Sequence, residues 1–270
     1  MKKKLALLSS LSTLLLLAGC GRSDITASTP GAWDKFVYFF AEIIRFLSFH
    51  ASTGIGIILF TIIIRTALLP LMRMQMKSSR VMQELQPEIK KIQDKYPGKD
   101  QESRRLVAEE TQALYSENDA NPAMGCLPLI VQLPVLWGLY QAITRVDFLR
   151  TGSFLWFKIA DPDPYYILPV LAAGFTFLSS WLNMKAMPEK NTMSTSMTYL
   201  MPIMIFFMSI NVASGVSLYW TVSNAYQTFQ TLLFNNPFKI EKDRKAVEEE
   251  EKAKAKAKEK AIKKAKKKNK

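Results

Sequence analysis

GIGIILFTIIIRTALLPLM, residues 54–72, holds one charged side chain, Arg65, in nineteen positions. As a helix such a run spans about 28 Å, close to the roughly 30 Å of bilayer hydrocarbon. A helix on the surface of a water-soluble domain needs a polar face, and this run has none. Residues 126–144, 165–182, 197–213 and 216–234 read the same way, and none of them holds an Asp, Glu or Lys. The mean hydropathy of +0.02 over 270 residues hides the pattern, because residues 239–270 carry 15 Lys/Arg and 7 Asp/Glu. The expected fold is an all-α membrane protein, a bundle of five transmembrane helices with polar extremities.

Composition narrows the chemistry further. His50 is the only histidine, and Cys20 and Cys126 are the only cysteines, so neither a disulfide framework nor a zinc set is available. No GxxxxGK[ST] occurs, so the chain is not expected to hydrolyse ATP, and no metal or cofactor is expected.

The first residues read as an address. Lys2, Lys3 and Lys4 precede an apolar run over 5–17, and Leu17-Ala18-Gly19-Cys20 closes it with small residues. This end resembles the bacterial lipobox, which implies removal of a signal peptide, residues 1–19, and a lipid such as palmitate on Cys20. The plainer alternative is an ordinary signal or an uncleaved anchor. In both readings Gly21 begins on the extracytoplasmic side.

Five crossings from there place the C-terminus in the cytoplasm, and the basic residues test this. The inner segments, 73–125, 183–196 and 235–270, carry 26 Lys/Arg. The outer segments, 20–53 and 145–164, carry six: Arg22, Lys35, Arg45, Arg145, Arg150 and Lys158. Such an excess is that of a multi-pass protein of the bacterial cell membrane with its basic side inward.

Three segments outside the spans have structure of their own. Residues 33–49 combine Asp34, Lys35, Glu42 and Arg45 with many aromatics, as an amphipathic helix lying in the outer interface would. Phe36, Phe40, Ile44 and Leu47 are expected to face lipid, with Glu42 and Arg45 paired. In 73–125, Val81, Leu85, Ile89 and Ile92 recur at helical spacing before a turn at Pro97-Gly98, then Leu106, Ala113 and Leu114 follow. That predicts a cytoplasmic helical hairpin. The tail, ending KKAKKKNK, is expected to be mobile and solvated, held near anionic lipid or the phosphates of ribosomal RNA.

Arg65 is the candidate centre of function. It lies about 10 Å from the cytoplasmic end of its span, where an arginine costs about 2.5 to 3.5 kcal/mol on insertion scales. The other spans offer no carboxylate, only Gln132, Gln141, Trp181, Tyr219, Trp220, Asn224 and Gln227, with Asn183 just beyond. These cannot neutralise a guanidinium, so a wet cavity open to the cytoplasm is expected around it, attractive to an acidic segment of another polypeptide. The alternatives are that Arg65 bonds carbonyls freed by Pro128 or Pro134, and that Tyr219 and Trp220 are interface-belt aromatics. Met193, Met197, Met201, Met204 and Met208 form a stripe of the kind that more often packs than carries a substrate.

IIIRTALLPL (62–71), the charged hairpin, NPAMGCLPLIVQLPVLWGLYQAI (121–143) and GVSLYWTVSNAYQTFQT (215–231) together resemble the YidC/Oxa/Alb membrane protein insertases of bacteria with a single membrane. The resemblance covers roughly 35–238. It implies a five-helix core whose hydrophilic groove receives the polar end of a nascent membrane protein, with Arg65 as the groove arginine and Gln132 and Trp220 lining or supporting it. It also implies that the hairpin recruits substrate and that the tail meets the ribosome, the signal recognition particle pathway or the Sec translocon. The rival classes are a small-solute transporter or channel, an intramembrane protease, and an assembly chaperone beside the translocon. The first lacks an intramembrane acid or His, and the second lacks GxSxG and a pair of intramembrane aspartates.

Overall fold

The computed structural model describes residues 23–49, 51–98, 100–125, 127–188 and 192–268. The signal segment 1–19 and the lipidation candidate Cys20 lie outside the described residues, as do His50 and Cys126.

Helix α1 (Ala32–Leu47) begins after Gly31, with Asp34 in its first turn and Arg45 in its last, both complementing the helix dipole. Its apolar stripe, Val37, Phe40, Ala41 and Ile44, is buried. The expected lipid contact of Phe40 and Ile44 is therefore corrected: they pack on α2 (Thr53–Ala67) and on α6 below, with the rings of Phe40 and Phe60 5.0 Å apart. Helical spacing marks the stripe but not what covers it. The Glu42 to Arg45 pair forms at 2.5 Å, as its spacing predicts.

Ser52 caps α2, its Oγ accepting from Gly54 N at 3.3 Å. Gly56 lets α1 and α2 touch, since a Cβ there would stand 2.3 Å from the carbonyl oxygen of Ile44. The apolar run then breaks. At Leu68 the axis bends by 59° into α3 (Leu69–Glu84), which carries Pro70 in its first turn. The expected span to residue 72 is thus two helices, because proline suits a helix start and has no amide to continue the one before it.

Helices α4 (Gln86–Lys95) and α5 (Gln101–Glu117) form the expected hairpin around the turn at Pro97-Gly98. Leu85, Ile89 and Ala120 make its small core, flanked by Val81, Met82, Leu114 and Tyr115. Asp100 caps α5, and Lys95 bridges to Glu110 at 2.7 Å.

A 3-10 turn (Pro122–Gly125) leads into α6 (Leu127–Arg145). The segment expected as loop, 145–164, instead holds a short α7 (Asp147–Arg150) and a hairpin of β1 (Ser153–Phe154) and β2 (Phe157–Lys158). Asp163 then starts α8 (Ile167–Ala186): 2% exposed, it accepts from Trp156 Nε1 at 2.9 Å, Tyr165 N at 3.1 Å and Leu168 N at 2.7 Å. Helices α9 (Thr192–Ile210) and α10 (Ser214–Phe234) complete the bundle, α10 packing on α2, α6 and α8.

Among the described residues, two helical stretches are long and apolar enough to cross a membrane, Pro122–Arg145 and Ile167–Ala186, and the bent pair α2 and α3 makes a third if it is one span. Helix α9 is apolar but shorter by the same test, and α10 is 21 residues long with Ser217, Thr221, Ser223, Asn224, Gln227, Thr228, Gln230 and Thr231 along it.

The apolar core sits at one pole. It gathers the α1 stripe, Ile57 and Phe60 of α2, Leu139 and Ile143 of α6, Leu149, Ile159, and Val216 and Leu218 of α10. Towards the other pole the contacts turn polar: Asn224 Nδ2 donates to Thr176 Oγ1 at 3.0 Å between α10 and α8.

The described part of the tail is helical and largely exposed. Helix α11 (Pro237–Lys268) runs through it, because Ala, Glu and Lys are strong helix formers and Glu241 to Lys245 and Glu250 to Lys254 pair one turn apart. Its base docks on α8: Glu241 reaches Lys185 at 3.0 Å, and Trp181 packs near Phe238. Lys245, then Lys185, hold the Glu241 carboxyl down to about 2, from an ordinary 4.5. A carboxyl with a lowered folded value stabilises above its unfolded value and loses that contribution as pH falls through the folded one. Spin labels on α8 and α11 should therefore keep their separation from pH 7 to 5 and move apart on acidification towards pH 2, with Glu241→Gln giving the wider separation already at neutral pH.

Candidate functional site

Arg65 occupies the last turn of α2 and points to α10. Its Nε donates to Ser223 Oγ at 2.7 Å, and Nη2 donates to the same oxygen. One turn earlier on α10, the Tyr219 hydroxyl accepts from Gln132 Nε2 at 2.7 Å. Beside them Thr66 Oγ1 and Tyr226 OH lie 3.0 Å apart. Three helices thus converge on one guanidinium through hydroxyls and an amide. Among the described residues no carboxylate pairs with it. Its hydrogen bonds run to a side-chain hydroxyl, so the alternative in which proline-freed carbonyls hold it is not what the structure places there.

A recess of about 20 Å³ adjoins the group, lined by Ile64, Arg65, Leu68, Met72, Val131, Gln132, Val135 and Tyr219. It is room for about one water. Where the sequence leads one to expect a wet cavity, the structure has this small recess, with mostly aliphatic walls.

The structure brings Arg65, Gln132 and Tyr219 to one place. Trp220, the next residue round α10 and about 100° from Tyr219, is half-buried against the apolar pole. Asn224 turns to α8, and Gln227 is half-buried two turns beyond Tyr219. Gln141 does not join the group. It is 1% exposed and accepts from Arg145 Nη1 at 2.6 Å, at the opposite end of α6, about 13 Å along the helix from Gln132. Arg145 needs it there, because the same guanidinium donates from Nε to Ser23 O at 2.9 Å and lies 3.4 Å from Asp34.

Ser223 is the partner the sequence reading omits. Its signal is the spacing Tyr219, Ser223, Gln227, three polar residues on one helical face. Ser223→Ala should leave Arg65 without its hydroxyl and lower the thermal unfolding temperature, by about 1 to 3 kcal/mol of stability. Ser223→Thr should restore it.

The fold and site define a helical membrane protein that holds an uncompensated cation on neutral donors and acceptors inside its bundle. A family model described as the 60Kd inner membrane protein matches residues 45–243. The chain is 62% identical over 269 residues to membrane protein insertase YidC 1 of Lactococcus lactis subsp. lactis, covering 99% of this chain and 100% of that one. To membrane protein insertase YidC of Enterococcus faecalis it is 54% identical over 253 residues, covering 93% and 92%. A crystal structure of an active YidC insertase with its first transmembrane domain resolved matches with a TM-score of 0.59 at 28% identity, over 75% of this chain and 47% of that longer one. The chain belongs to the YidC family of membrane protein insertases, multi-pass bacterial membrane proteins that do not work as enzymes.

Proposed function

We propose that the chain inserts nascent membrane proteins by receiving their polar, acidic ends at Arg65 while their apolar helices pass into lipid beside the bundle. The observation that carries this is the guanidinium held by Ser223 with no carboxylate among the described residues to neutralise it. An arriving Asp or Glu supplies the missing charge. The narrow recess opens as the substrate enters, and Gln132 and Tyr219 offer hydrogen bonds that replace part of the segment's lost water. Partition of the apolar helix supplies the driving force, at roughly 0.3 to 0.6 kcal/mol per central Leu, Ile, Phe or Val.

In this reading the chain crosses the membrane five times, with the bent α2, then α6, α8, α9 and α10, the pole of α1 outside and α11 inside. The basic excess of the inner segments supports that orientation. Cys20 carries a lipid outside, and α11 with the hairpin meets the ribosome, the signal recognition particle pathway or the Sec translocon. Stalled nascent chains should crosslink to a photoreactive side chain at Val131 or Val135, which line the recess, more than to one at the exposed Phe207 of α9. Equal labelling at the two places counts against the reading.

A further inference from the structure

A second and larger cavity, about 750 Å³, lies at the opposite pole and shares no residue with the Arg65 recess. Glu42, Arg45, Phe46, Phe49, Phe148 and Leu149 form most of its wall. Its volume is that of a small-ligand site. Ser52 and Thr53, where α2 begins, also line it, so it lies at the level where the first apolar run leaves the membrane surface. Phe46 and Phe49 are 76% and 65% exposed beside it, a placement that suits aromatic rings at the headgroup boundary.

The charged part of the wall is an ion pair, with Ser48, Ser52 and Thr53 as further polar lining. Arg45 Nη2 donates to Glu42 Oε2 at 2.5 Å, and the guanidinium lies 4.9 Å over the ring of Phe148. One edge and one face of Arg45 are thereby held, yet its side chain remains 58% exposed. Of the carboxylate, Oε1 is buried, so Oε2, with one lone pair beyond the one Arg45 uses, is the oxygen that can accept from a ligand. The cavity therefore presents a preoriented cation and an anion side by side above an aromatic floor. A purely anionic headgroup meets repulsion from Glu42, and a quaternary ammonium has no N–H to give it.

We propose that this cavity holds one zwitterionic aminophospholipid, its phosphate on Arg45, its primary ammonium on Glu42, and its glycerol and first methylenes against Phe46, Phe49 and Phe148. The proposal rests on α1 and the start of α2 lying at a membrane surface, not on the insertion mechanism, and lipid retention is read without any insertion assay.

The full chain, purified and delipidated in detergent, is offered dioleoyl phosphatidylethanolamine, phosphatidylglycerol or phosphatidylcholine at equal mole fraction, and bound lipid is counted by native mass spectrometry. One phosphatidylethanolamine should be retained about fivefold over either other lipid. Arg45→Ala should bring it down to the phosphatidylcholine level, and Glu42→Gln should raise phosphatidylglycerol to match it. Ala51→Trp, which places an indole in the cavity and leaves both charges in the chain, should lower retention of all three. Equal retention of the three lipids by the parent chain overturns the proposal, as does a preference that survives Ala51→Trp or both charge variants.

Discussion

Arg65→Ala is expected to lower insertion of substrates whose translocated tails carry Asp or Glu by about tenfold or more, a change of about 1.4 kcal/mol in the barrier. Two unit charges 4 Å apart attract by about 4 kcal/mol at an effective dielectric of 20, so a tenfold loss requires only part of that attraction. Substrates with uncharged tails should change by no more than about twofold, since they lose a hydrogen-bond donor but no ion pair. Arg65→Lys should keep most of the activity on acidic tails. Its ammonium retains the charge, although it gives up the two-donor grip on Ser223 that Nε and Nη2 now make. The measurement is insertion into vesicles made from the purified chain without a translocon, with matched acidic and neutral tails. Full activity of the alanine variant on acidic tails removes the electrostatic part of the mechanism. Solute flux through the same vesicles would instead favour a transporter.

The second large effect is one of stability and lies far from Arg65. Asp163→Ala should destabilise the protein by about 3 kcal/mol or more, because three donors that now share a buried carboxylate lose their acceptor together. One of them, Leu168 N, belongs to the first turn of α8, where a negative charge is also favoured by the helix dipole. Asp163→Asn should fall between, keeping an acceptor oxygen but not the charge. Thermal unfolding of the detergent-purified variants reads this directly, and an unchanged midpoint for Asp163→Ala would show that the 153–167 segment is held by other contacts.

Residues that stand out by type were legible from sequence. A lone arginine in an apolar run, a glutamine six residues into another, and a tyrosine in a third converge in space as their rarity suggests. Ser223 was legible only as one member of a polar face with Tyr219 and Gln227, and its 2.7 Å contact is what singles it out as the partner of Arg65. Gln141 has the same side chain as Gln132, yet it serves Arg145, a residue that reads as an outer-loop cation until Asp34 and Ser23 are seen around it. The stripe of α1 was visible, but periodicity names a face and not its cover, and the cover is α2 and α6 rather than lipid. In the tail the count of lysines drew attention to charge, while the Glu to Lys spacing that makes it helical carried the structural information.

The elbow at Leu68 stands three residues from Arg65, and beyond it α3 extends for 16 residues, about 24 Å of stiff rod. Proline at position 70 deprives the hinge of the hydrogen bond that would splint it. Any partner leaning on the far end of that rod would work with long leverage on a short fulcrum. Torque applied at that far end would thus be felt close to the guanidinium.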